Sequence, residues 1–119
     1  MPFWRREVIQ PALDQDVERA IAEQQAILQR NSRSAGAHFA LGTLTYFRGN
    51  RKAALDHFYQ AIELDPAYAA PHISLGRALA VEGRYEEAWS HAREAGRLGD
   101  PSLLEQLRRH LPPSSSSDL

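Results

Sequence analysis

The sequence predicts an all-α fold: a short array of antiparallel helix pairs. Two observations carry this. The chain repeats itself every 34 residues, and inside each period apolar residues recur at helical spacing between Gly and Pro stops. Ala35 returns as Ala69, His38 as His72, Leu41 as Leu75, Gly42 as Gly76 and Gly49 as Gly83. Ala54 returns as Ala88, His57 as His91, Ala61 as Ala95 and Leu64 as Leu98. A period of this length means small units that cannot each bury an apolar face alone, so they stack.

The elements follow in order. Residues 1–13 form an N-terminal arm, too short for a helix of their own and interrupted by Pro11. Residues 14–33 read as the second helix of an incomplete first unit. Ala20, Ile21, Ile27 and Leu28 stand 34 positions before Ala54, Leu55, Ala61 and Ile62. Residues 34–67 are a whole unit. Phe39, Leu41, Leu44, Tyr46 and Phe47 make a first helix dense enough to be buried on more than one side. Gly49-Asn50 breaks it, with Gly suited to a left-handed cap. Ala53, Ala54, Phe58, Ala61 and Ile62 give the second helix its period. Asp65-Pro66 stops it, because the residue before Pro avoids the helical region and Pro cannot continue the helix.

Residues 68–100 repeat the plan: a first helix to Glu82, a Gly83-Arg84 turn, a second helix to about Leu98, and a Gly99-Asp100-Pro101 stop. Residues 101–111 read as a capping helix with Leu103, Leu104, Leu107 and Leu111 on one stripe. Residues 112–119 are a Ser-rich tail with too little apolar surface to fold. Its last three residues, Ser117-Asp118-Leu119, also fit the loose C-terminal pattern that PDZ domains accept, but a disordered end is the expectation.

The spacing, the small pairs Leu41-Gly42 and Leu75-Gly76, the second-helix Ala54 and Ala88, and the closing Leu64-Asp65-Pro66 resemble the tetratricopeptide repeat (TPR) family. Both units depart from its pattern. His38 and His72 stand where the family has Trp, Thr45 and Leu79 where it has Tyr, and Ala92 replaces a large aromatic. The resemblance implies a right-handed superhelical α-solenoid whose first helices line a concave face. Carried over, that face takes Phe39, Thr43, Tyr46, Phe47, Ile73, Arg77, Ala80 and Val81. Family members that hold acidic chaperone tails use Lys and Asn in this groove. Here Phe39, Thr43, Ile73 and Arg77 occupy those positions, so that ligand is not expected.

Composition is that of one domain. A chain of 119 residues buries roughly two-thirds of its unfolded surface. A formal net charge of -1 supplies no field for nucleic acid. No apolar run is long enough to span a bilayer. The opening Met1-Pro2-Phe3-Trp4-Arg5-Arg6-Glu7 lacks an apolar core, so no signal peptide is read and a cytoplasmic location is expected. Without Cys there is no disulfide and no thiol chemistry.

Catalytic motifs are missing: there is no phosphate-binding loop, no H-E-x-x-H and no nucleophile elbow. Glu86-Glu87 are ordinary first-turn helix charge. His38, His57, His72 and His91 are expected as packing residues at two repeat-equivalent positions, set in two ladders. A metal-binding or pH-sensing role is the weaker reading. No cofactor and no metal are assigned. The expectation is a non-catalytic adaptor or scaffold that binds a peptide or subunit of another protein through the concave face. The alternative is an accessory subunit or assembly factor anchored by Phe3, Trp4, Arg5 and Arg6, whose aromatic and cationic side chains suit a partner pocket. A homo-oligomer is open to either.

Overall fold

A computed structural model describes residues 10–110, with side chains from residue 14 onward. Six helices follow one another: α1 (Gln10–Arg30), α2 (Ala35–Phe47), α3 (Arg51–Leu64), α4 (Ala69–Val81), α5 (Tyr85–Arg97) and α6 (Ser102–His110). No strand occurs among the described residues. The arm residues Phe3, Trp4, Arg5 and Arg6, the stripe residue Leu111 and the tail 112–119 lie outside them.

Each helix packs on its neighbours in the chain. In addition α2 meets α4, and α4 meets α6. Alternate helices therefore share one side of the array, and the second helices α3 and α5 share the other.

The turns explain the punctuation of the sequence. Gly49 and Gly83 have φ of 91° and 82°, as the left-handed cap requires. The amides around them fold back onto the ending helix. Asn50 N–H donates to the Thr45 carbonyl and Arg84 N–H to the Leu79 carbonyl, each at 2.9 Å, so both first helices close in the same way. Ser34 caps α2 by accepting from the Ala37 N–H at 3.1 Å, and Asn50 caps α3 by accepting from the Ala53 N–H at 3.2 Å.

Three boundaries differ from the sequence expectation. The first helix starts at Gln10 rather than Asp14, and Pro11 lies inside its first turn instead of interrupting it. A first-turn N–H has no intrahelical acceptor anyway, so Pro loses nothing there. Helices α4 and α5 stop one residue earlier than read, with Glu82 and Leu98 as their C-caps.

The core is concentrated in α3 to α6. Phe58, Leu75, Leu79, Trp89, Leu103 and Leu107 are buried around Ala54, Ala88, Ala92 and Ala95. The small residues let the helices close up. A Cβ at Gly42 would overlap the Phe58 ring, and one at Gly76 would overlap the Leu103 side chain. The second unit has Ala92 where the first has Phe58, and Leu103 of α6 is the side chain that covers its glycine. The cap is thus part of the core.

Candidate functional site

The side shared by α2, α4 and α6 carries two recesses that meet at α4. The first, about 190 Å³, is lined by Thr43 and Tyr46 of α2, Phe58 of α3, and Ser74, Arg77, Ala78 and Val81 of α4. The second, about 360 Å³, runs from Arg77, Ala80 and Val81 to Leu103, Gln106, Leu107 and His110 of α6. Arg77 and Val81 belong to both, so the two form one groove across three first-helix positions. Val81 is 66% exposed on its floor. The exposed Arg77 guanidinium donates from Nε to Gln106 Oε1 at 3.4 Å, which leans it toward α6.

The residues expected on this face divide into three sets. Thr43, Tyr46, Arg77, Ala80 and Val81 line the groove. Phe39 and Ile73 do not. Ile73 is buried, and the half-buried Phe39 lies between Phe58 and Tyr68, with ring centroids 5.9 and 5.5 Å away. An aromatic at that position finds two more aromatics on α3 and the α3–α4 turn, so it packs inward. Phe47 is 65% exposed but belongs to a third recess beside α1, with Asp14, Glu18 and Arg48. Arg48 pairs there with Glu18.

The α6 half of the groove is absent from the sequence reading. Its signal was present, because Leu103 and Leu107 stand 34 positions after Ala69 and Ile73. In register α6 is the first helix of a further unit. It brings three cationic or titratable side chains, Arg108, Arg109 and His110, in its last turn.

The four core His side chains form two pairs, not two ladders. His38 of α2 faces His57 of α3 with Nδ1 atoms 3.2 Å apart, and His72 of α4 faces His91 of α5 at 3.0 Å. The rings are tilted by 37° and 38° with centroids 5.4 and 5.2 Å apart. The geometry is the same in both units because both partners are repeated, always 19 residues apart. Burial pushes all four below the usual imidazole range. His57 and His91 are pushed further by their partners, against the opposing pull of Asp56 on one and of Glu87 and Glu94 on the other. Among the described residues no three or more His, Asp or Glu side chains converge as a metal-binding group.

Likeness to known proteins agrees with this architecture. No protein-family model matches the chain. Over 61 residues it is 34% identical to the uncharacterized protein MJ0572 of Methanocaldococcus jannaschii, a stretch covering 51% of this chain and 71% of that protein. The crystal structure of MamA, a TPR-containing protein, superposes with a TM-score of 0.65 at 20% identity. That match covers 82% of this chain and 54% of MamA, so the chain spans about half the length of MamA. At this identity the likeness is one of fold: an all-helical, TPR-like repeat array. The chain therefore belongs to the family of the uncharacterized protein MJ0572.

Proposed function

We propose that this is a TPR-type interaction module: a non-catalytic adaptor or scaffold that receives a segment of another protein along the groove of α2, α4 and α6. The observation that carries the reading is the continuity of the two recesses through Arg77 and Val81. An open apolar groove with a single central cation suits an extended or helical segment with an apolar anchor and a carboxylate. Arrays of stacked helix pairs present such surfaces by construction. The test is affinity capture from the native lysate with wild-type protein and with Tyr46→Ala/Arg77→Glu. Partners retained equally by both would overturn the reading.

A second reading, an accessory subunit or assembly factor of a larger complex, is favoured by α6. It stands in the register of a first helix but is the last described helix, and its outer side has no following helix among the described residues. Capture that survives the groove variant and is lost with Phe3→Ala/Trp4→Ala would support that reading over the first.

A further inference from the structure

The paired imidazoles are a second device, independent of the groove. Each pair joins the first helix of a unit to its second helix through Nδ1 atoms 3.0–3.2 Å apart. At that distance one Nδ1 must carry a hydrogen and the other must offer its lone pair. The ring protons of a pair can be counted. A neutral pair holds two N–H groups and keeps a free lone pair at one Nδ1. A singly charged pair holds three and still keeps one, but carries a charge into a half-buried site. A doubly charged pair holds four, which places N–H against N–H and cation against cation.

We propose that the two pairs are proton-operated clasps, which fix α2 to α3 and α4 to α5 while each holds two or three ring protons and release them when it holds four.

The surroundings favour this. His72 is 7% exposed, so water cannot readily replace the lost bond. The ionisable groups near the first clasp reduce to Asp56 on α3. The half-buried positions of α1, the helix on the other side of α2, are Val17, Ala20, Ile21, Gln24, Ile27 and Leu28, none of which titrates. Around the second clasp α5 supplies Glu87, Glu94 and Arg97, and α3 supplies the Tyr59 ring, edge-on to His91 at 6.1 Å. Both glutamates are already engaged, Glu87 by Arg84 and Glu94 by Arg97. From α6 only Leu103, Leu104, Gln106 and Leu107 are buried or half-buried, and none is ionisable.

The sign is fixed by burial. The folded imidazoles lie below their ordinary range, so the unfolded chain takes up protons first. Stability is full at neutral pH, begins to fall below about pH 6.5 and continues to fall until the folded-state midpoints are passed.

The experiment is thermal unfolding of the full chain at pH 7.5 and 5.5 in excess EDTA, for wild type and for His57→Asn/His91→Asn. The Asn amide places a hydrogen-bonding group near the position of Nδ1 and cannot take a charge. The wild-type midpoint should drop by roughly 5 °C or more over this range. The variant should lose less than half as much. Equal losses would overturn the proposal. Should the variant not fold, imidazole nitrogen NMR on the wild type decides. Each pair should show one Nδ1–H and one Nε2–H ring at pH 7.5 and two separated titrations. Four rings titrating alike and independently would overturn it.

Discussion

Gly42 lies against the ring of Phe58. A Cβ built on the glycine would sit 2.5 Å from Cε1 and 2.6 Å from Cδ1 of that ring, well inside contact distance. The Phe58 side chain is 2% exposed and packed in the core, so moving it aside disturbs its neighbours. Gly42→Val should therefore cost ~1–3 kcal/mol or somewhat more by overpacking, read as a melting midpoint lower by several degrees. Gly36, one turn and a half earlier in α2, has open space where its Cβ would be. Gly36→Ala should raise the midpoint, by about 0.4–1 kcal/mol of stability. If the two substitutions moved the melt alike, the α2–α3 contact would not be the cause.

Gly83 tests the turns without touching the core. Its φ is 82° and no atom lies within 4 Å of a built Cβ. Gly83→Ala should cost about 1–2 kcal/mol from backbone strain alone. Chemical denaturation should show a lower midpoint with an unchanged slope, since no packing is lost.

Arg77 is the test of the groove. It is exposed, so Arg77→Glu should leave helical circular dichroism intact. Combined with Tyr46→Ala, it should weaken capture of the partner on the order of tenfold or more, as loss of an aromatic anchor and its cation does at interface centres. The pair Phe3→Ala/Trp4→Ala should matter less.

Chelation addresses the metal reading of the histidines. A ligand bound by the native state alone would stabilise it. EDTA at neutral pH should leave the melting curve in place, because the His residues form pairs rather than a larger coordinating group. A shift of more than a few degrees would count for metal.

Helices α2 to α5 were legible because the 34-residue register and the Gly stops are local signals, and local signals survive folding. The start of α1 was not, because Pro11 reads as a break unless one knows that it falls in a first turn. Analogy of position puts Phe39 on the groove. Its inward turn depends on Phe58 and Tyr68, which no local pattern brings together. The His pairs were hidden for a related reason. Comparing units aligns His38 with His72, whereas packing joins His38 to His57. The recurring 19-residue spacing was the available clue. The groove's α6 wall was also in the register, at Leu103 and Leu107, but a short final helix reads as a cap.

The order of packing has a kinetic consequence. Successive helices are joined by three or four residues and each rests first on its neighbour in the chain. Folding then needs only short loops to close, and loops of that size close on submicrosecond timescales. The chain should assemble as a zipper, hairpin by hairpin, and open from its ends. Helix α1, which packs chiefly on α2 and has no fully buried side chain from residue 14 onward, should be the first tooth to part. The recess that it forms with Phe47 and Arg48 should accordingly exchange its α1 amide hydrogens sooner than the groove walls of α2 and α4 exchange theirs.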